Sequence, residues 1–205
     1  FPPRARRNEA VFVLESCDTI EAQLGGVRLD RARIAAAGHS AGAMTTQILA
    51  GVAFRPRGAS GAQSFGDPRI QAAILISGQG ANGVTLTETS WRDVRIPLLV
   101  ITGTKDTVAN LSREPPAPRR HPYELAPPGD KYLLFLEGAT HSSFAGKDRS
   151  ALGEEPAENL EAILAATNRV CSAFMAAYLE GDAAAKGFLA SDALAAAPAQ
   201  EWLRK

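Results

Sequence analysis

The sequence predicts an α/β fold in which a parallel sheet is covered by helices on both faces. Three observations lead to it. Short apolar runs of strand length alternate with amphipathic helical stretches, the segments that join them are short, and a glycine-flanked serine stands between a strand and a helix. With 205 residues the chain suits one domain with its own core, and we expect residues 1–205 to form that single domain.

The first half of the chain alternates helix, strand and helix before a long loop. A helix is predicted over 8–24, because apolar residues recur at three- and four-residue spacing behind the capping residue Asn8. Small residues at 34–37 predict a short strand, and the apolar positions of 43–53 predict a second helix. Residues 54–69 are rich in Arg, Gly, Ser and Pro and predict a surface loop.

Three nearly continuous apolar runs predict parallel strands that are buried on both faces, at 70–77, 97–102 and 131–137. Between the first two we expect at most a short helix at 88–93. The Pro-rich loop 107–130 disfavours helix and strand, and we interpret it either as an ordered wall or lid over a site or as an ordinary mobile loop.

The C-terminal part of the chain predicts helices over 156–205. One apolar stripe extends from residue 160 to residue 178, with acidic residues near its N-terminal end, and Gly181 is a plausible stop. The alanine-rich tail 182–205 predicts one or two further short helices.

Composition excludes several functional classes. Hydrophobic residues make up 45% and charged residues 21% of the chain, and 22 basic residues balance 22 acidic ones. A formal net charge of zero gives no indication of a nucleic-acid partner. The basic clusters are short and lack interleaved aromatic residues, so we interpret them as solvated loops; they are Arg4, Arg6 and Arg7, and Arg113, Arg119 and Arg120.

Membrane, metal and disulfide signals are also missing from the sequence. No apolar run approaches the roughly 18 residues of a membrane span, so we expect none, and no signal peptide is visible in this chain, which favours the cytoplasm slightly. Cys17 and Cys171 have neither metal-ligand spacing nor the pattern of a disulfide framework, and we expect free thiols. We expect no metal and no cofactor.

The glycine-flanked serine lies in Gly38-His39-Ser40-Ala41-Gly42, which fits the nucleophile elbow G-x-S-x-G. The elbow turns so sharply that we expect a Cβ at either flanking glycine to collide with neighbouring backbone. The helix that follows aims free N–H groups, that of Ala41 first, at the place where an oxyanion would form. The alternative is an ordinary Gly-Ser-Gly loop.

A nucleophilic serine needs an imidazole base, which is oriented by a carboxylate. His141 is the best-placed base, since it follows a buried strand; a surface loop histidine is its alternative. We expect His39 to point away from Ser40 and His121 to lie at the surface.

Asp106, directly after the strand at 97–102, is the best-placed acid. A turn cap is its alternative role, and Asp93 is an outside candidate for the acid. Ser40, Asp106 and His141 each follow a predicted strand, so all three should open onto one edge of the sheet.

Several segments resemble the α/β-hydrolase superfamily, and within it bacterial predicted hydrolases of the dienelactone-hydrolase and platelet-activating-factor-acetylhydrolase-like group. These segments are Asp30 to Ile34 with the elbow, Asp67 to Ala73, Gly103 to Asp106, Pro127 to Tyr132 with His141, and Ala177 to Asp182. The resemblance implies a serine esterase with Ser40 as nucleophile, His141 as base, Asp106 as acid and the Ala41 N–H as oxyanion donor. True dienelactone hydrolases carry a cysteine nucleophile, so Ser40 argues against that activity.

The chain departs from this superfamily before the elbow. Members normally have several further strands there, including the strand whose following loop supplies a second oxyanion donor, whereas only residues 1–33 precede the elbow strand here. The resemblance therefore implies an N-terminally shortened sheet with the elbow strand at its edge. We expect this edge to pair with another chain, which gives a homodimer or a higher oligomer.

Together these features predict a serine carboxylesterase that hydrolyses a small-molecule ester. Without an inserted cap domain, short-chain or accessible esters are expected as substrates. Two alternatives stay open: a catalytically impaired, truncated hydrolase core that acts as an associating scaffold, and a thioesterase or peptidase that uses the same residues.

Overall fold

A computed structural model describes residues 3–56, 58–107, 117–145, 157, 159–196 and 198–205 of the chain. Its strands are β1 (Ile34–His39), β2 (Ala53–Phe54), β3 (Gln63–Ser64), β4 (Ile70–Ile76), β5 (Leu98–Lys105), β6 (Lys131–Thr140) and β7 (Ala199–Arg204). Its α-helices are α1 (Pro3–Glu15), α2 (Cys17–Gln23), α3 (Ala41–Leu49), α4 (His121–Glu124), α5 (Leu160–Met175) and α6 (Ala183–Ala190).

The main sheet has the strand order β1-β4-β5-β6-β7. The first four of these strands run parallel, as expected from their apolar runs. Their side chains alternate between two helical layers. Leu75, Val100 and Leu133 pack on the side of α3, whereas Ile74, Ile101 and Leu134 pack on the side of α5 and α6. The expected α/β architecture, with helices on both faces of the sheet, is therefore confirmed.

The last strand corrects the prediction of helices over 156–205. β7 pairs antiparallel with β6, so the sheet is mixed rather than wholly parallel. Trp202 stacks on Tyr132 with a ring-centroid distance of 5.6 Å, and both rings are buried. The alanine-rich composition of the tail gave no signal for this strand. The strand conformation is stabilised by the packing of the Trp202 ring, which the composition does not reveal.

The long C-terminal helix otherwise behaves as predicted. α5 continues through one π-helical turn, Ala176–Glu180, and ends at Gly181, which has a φ of 72°. The stretch Leu160–Glu180 is long and apolar enough to cross a membrane by length and composition alone. However, Ile163, Val170 and Phe174 are fully buried in the domain core, so we interpret it as a core helix of this fold.

Two predicted helices differ from the structure. The expected helix at 8–24 begins earlier and is interrupted at Ser16, whose hydroxyl donates to the Phe12 carbonyl and so competes with the helical backbone pattern. Residues 88–93 form turns rather than a short helix. The predicted loop 54–69 contributes to the small β2–β3 hairpin.

The Pro-rich loop 107–130 is partly helical. Residues 117–120 form a 3₁₀ turn that leads directly into α4, and residues 108–116 of this loop lie outside the described residues. Pro118 and Pro122 stand in the first turns of these two helices, where no partner for a backbone N–H is needed. Proline therefore starts helices here instead of preventing them.

Candidate active site

The turn at Ser40 joins the end of β1 to the start of α3, as the G-x-S-x-G pattern predicts. Ser40 has φ 57° and ψ −116°, a strained conformation for a residue with a side chain. Backbone hydrogen bonds on both sides hold it: the Ser40 N–H donates to the Ile76 carbonyl at 3.0 Å, and the Met44 N–H donates to the Ser40 carbonyl at 3.2 Å. The serine side chain is thus presented at the carboxyl edge of the sheet.

The two flanking glycines have different roles. A Cβ on Gly38 would lie 2.3 Å from the carbonyl carbon of Gly42, so this position requires glycine. A Cβ on Gly42 would meet no atom within 4 Å. The expectation that both glycines prevent a collision is therefore wrong for Gly42, because the close approach is along the Cβ direction of Gly38 alone.

Three side chains from three loops form a continuous hydrogen-bonded chain. His141 Nε2 lies 2.8 Å from Ser40 Oγ, and His141 Nδ1 lies 2.9 Å from Asp106 Oδ1. Since the carboxylate can only accept, Nδ1 carries a proton and Nε2 is free to accept the serine proton. The structure thus brings together the three residues that the sequence pattern singled out, in the geometry that activates a hydroxyl.

Asp106 is fully buried and has several partners besides His141. Its Oδ2 accepts a 2.8 Å hydrogen bond from Thr102, and the Arg119 Nε lies 3.2 Å from its Oδ1. Burial alone would raise the pKa of Asp106, but the hydrogen bond with His141 and the charge of Arg119 outweigh burial and lower its pKa. The carboxylate is therefore ionised at neutral pH.

Arg119 corrects the interpretation of its basic cluster as solvated. Its side chain is only 12% exposed, and Arg120 beside it forms a two-pronged hydrogen bond with Glu201. Both arginines lie on the described part of the Pro-rich loop, which therefore contributes an ordered wall to this edge of the sheet. Arg113 lies outside the described residues.

The His39 ring lies against the His141 ring. The two rings are 4.7 Å apart, and His39 Nε2 donates to the backbone carbonyl of His141 at 3.0 Å. Burial, followed by the proximity of His141, lowers the pKa of His39, so this ring is neutral at neutral pH. The sequence contained no signal for this contact, since the two residues are 102 positions apart.

A series of hydrogen-bonded polar side chains also supports the turn at Ser40. Trp91 Nε1 donates to Gln47 Oε1 at 2.9 Å, Gln47 Nε2 donates to the Gln79 carbonyl at 3.2 Å, and Gln79 Nε2 donates to the Ser40 carbonyl at 3.2 Å. Trp91 and Gln47 are fully buried. A network of this kind fixes the strained turn, because the buried polar groups of Trp91 and Gln47 keep these partners only in this arrangement.

The start of α3 presents a backbone N–H beside Ser40. Ala41 is its first residue, so its N–H belongs to the unpaired first turn of the helix, next to Ser40. Across the described ranges, no group of three or more His, Cys, Asp or Glu side chains is arranged to hold a metal ion.

A depression of about 480 Å³ opens in the loop that follows β4. It is lined by Ala81, Gly83, Thr87, Glu88, Thr89 and His121. His121 was expected at the surface, but it is half-buried and its Nδ1 accepts the Ala81 N–H at 3.1 Å. His121 therefore joins the Pro-rich loop to the loop that carries Gln79.

The region from β1 to β5 matches a known protein family. Residues 31–115 match the family model described as Serine hydrolase (FSH1), which extends from just before β1 to beyond β5 and includes Ser40 and Asp106. No curated protein matches the chain. The more specific resemblance to the dienelactone-hydrolase and platelet-activating-factor-acetylhydrolase-like group stays a prediction.

Proposed function

We propose that this chain is an α/β-hydrolase-type serine hydrolase and that its reaction is the hydrolysis of carboxylic esters through an acyl-enzyme. The observation that carries the proposal is the hydrogen-bonded chain from Ser40 through His141 to Asp106, at a strained turn on the carboxyl edge of the sheet. Neither a metal nor a cofactor is needed for this reaction.

In the proposed mechanism, Ser40 Oγ attacks the ester carbonyl carbon while its proton moves to His141 Nε2. The negative charge that develops on the carbonyl oxygen is stabilised by the Ala41 N–H. His141 then returns the proton to the leaving alcohol, and an acyl-serine remains. Water attacks this acyl group with His141 again as base, and the acid and free Ser40 are released. Asp106 holds His141 in the required tautomer throughout.

Hydrolysis of p-nitrophenyl acetate by the wild-type chain and by Ser40→Ala tests this proposal. We expect the wild-type rate to exceed the variant rate by about 10³-fold or more, since removing the nucleophile leaves only binding and oxyanion stabilisation. Thr45→Ala is the control, because Thr45 lies on the same helix and its hydroxyl donates to the Ala41 carbonyl. Equal background rates for wild type and Ser40→Ala would contradict the proposal and favour an impaired hydrolase core that acts as a scaffold.

We further propose that short or accessible acyl groups are preferred. Between β4 and β5 the described residues form turns, and they include no inserted cap domain that would enclose a long acyl chain. We expect kcat/KM for p-nitrophenyl acetate to exceed that for the palmitate by about tenfold or more. A preference for palmitate would contradict this assignment.

A thioesterase or a peptidase would use the same three side chains and differ only in the leaving group. Acetyl thioesters and p-nitroanilides therefore belong in the same assay series. If either is cleaved with a higher kcat/KM than the oxygen ester, the substrate class proposed above is wrong while the mechanism is retained.

We also propose that a second copy of the chain pairs with the free edge of β1. In the described ranges this strand pairs only with β4, and large apolar side chains on neighbouring elements are exposed, among them Phe12 at 70% and Val13 at 55%. Self-association would cover both features.

Sedimentation equilibrium tests this pairing. We expect the wild-type chain to sediment as a dimer or larger, and Ala37→Lys to shift it to the monomer, because a lysine on an edge strand disfavours pairing. Ala37 is exposed on β1. A wild-type chain that sediments only as a monomer would contradict the proposal.

A further inference from the structure

Arg119 contacts the carboxyl ends of two neighbouring strands at once. Its Nε donates to the Asp106 carbonyl at 2.7 Å and lies 3.2 Å from Asp106 Oδ1. Its Nη1 donates to the Ser77 carbonyl at 2.7 Å and lies 3.4 Å from the Gly78 carbonyl. One guanidinium group therefore joins the loop after β5 to the loop after β4. Arginine suits this role because its planar side-chain group carries several hydrogen-bond donors.

These contacts make Arg119 a third side chain that holds the Asp106 carboxylate, in addition to His141 and Thr102. His141 and Thr102 each bond one carboxylate oxygen, and Arg119 holds both the carboxylate and the backbone of the same residue. Without Arg119, Asp106 could turn or shift relative to the His141 ring. A displacement of about 1 Å in such a group costs on the order of 10²-fold in rate, because the reacting atoms leave their productive geometry.

We propose that Arg119 is a positioning residue that orients Asp106 and, through Asp106, the His141 ring. The proposal rests on the ester hydrolysis proposed above. It assigns a role to the Pro-rich loop, which supplies this side chain although it does not touch the reacting atoms.

Variants Arg119→Met and Arg119→Lys test the proposal, with Arg120→Met as the matched control. Arg120 is the next residue on the same turn, but it bonds Glu124 and Glu201 and packs over Phe135 instead of touching Asp106. We expect Arg119→Met to lower kcat about 10- to 100-fold with KM changed less than about threefold.

Arg119→Lys keeps the positive charge but loses the planar guanidinium group with its several hydrogen-bond donors. We expect kcat to be restored only in part in Arg119→Lys, and Arg120→Met should match wild type in kcat and KM. A wild-type kcat in folded Arg119→Met, or a rise in KM as large as the fall in kcat, would overturn the proposal. If Arg119→Met does not fold, a kcat for Arg119→Lys equal to that of Arg120→Met would overturn it.

A second readout separates this proposal from the proposed reaction. The His141 Nδ1 proton bonded to Asp106 should give a far-downfield proton NMR signal that needs no substrate. We expect this signal to shift or broaden in Arg119→Met and to persist in Arg120→Met. If wild type and Ser40→Ala hydrolyse esters equally, the reaction is wrong, and the NMR signal alone then decides the role of Arg119: an unchanged signal in Arg119→Met refutes it.

Discussion

Replacing Asp106 by Asn is expected to lower kcat for p-nitrophenyl acetate by about 10⁴-fold. An amide can donate to His141 Nδ1, which favours the wrong tautomer, and it cannot stabilise the imidazolium that forms when Ser40 attacks. The loss corresponds to about 5.5 kcal/mol of transition-state stabilisation. Stopped-flow or steady-state release of p-nitrophenol measures it directly.

Asp93→Asn is the control for this experiment, because Asp93 was the outside candidate for the acid. Its carboxylate is exposed and bonds Arg92 and Arg95 at the surface, so we expect kcat to change less than about twofold. Circular dichroism at the assay temperature must show that Asp106→Asn is folded, since the substitution leaves Arg119 without its counter-ion. A folded Asp106→Asn that retains more than a tenth of the wild-type kcat would contradict the proposed role.

Replacing Gly38 by Ala should damage both stability and activity. The new Cβ would lie 2.3 Å from the Gly42 carbonyl carbon, 2.4 Å from the Gly42 oxygen and 2.7 Å from the Ala43 nitrogen. All three are backbone atoms, so the first turn of α3 must move away from β1. We expect the free energy of unfolding to fall by about 1–3 kcal/mol and kcat/KM to fall about 10²-fold as Ser40 is displaced.

Gly42→Ala provides the comparison for Gly38→Ala. Its Cβ meets no atom within 4 Å, and alanine is favoured over glycine inside a helix by up to about 1 kcal/mol. Urea unfolding should therefore give Gly42→Ala a midpoint equal to or above that of wild type. Equal midpoints for the two alanine variants would show that the close approach at Gly38 does not constrain the elbow.

The candidate site was predictable because parallel strands end at one edge of a sheet. Ser40, Asp106 and His141 each follow an apolar run, so their convergence needs no detailed packing. The glycines of the elbow could be identified in the same way, but the sequence pattern could not distinguish the collision at Gly38 from the open space at Gly42. That difference depends on the direction of each Cβ in the folded turn.

The residues around the site were not predictable from the sequence. Arg119 looked like part of a solvated basic cluster, and His39 and Gln47 had no assigned role. Their partners are distant in the chain: His39 contacts His141, Gln47 contacts Trp91, and Arg119 contacts Ser77. No local periodicity encodes such pairs, since each depends on how two loops or a helix and a loop meet in space.

The sequence by itself determined the parallel part of the sheet, the helices on both faces and the three side chains that meet at its edge. Local patterns suffice there because continuous apolar runs and a G-x-S-x-G turn each permit few backbone conformations. Only the tertiary structure decided that 199–204 is a strand, that part of the Pro-rich loop is helical, and that Arg119 reaches Asp106. Those features depend on burial of Trp202 and pairing of a buried charge, which are properties of the assembled core.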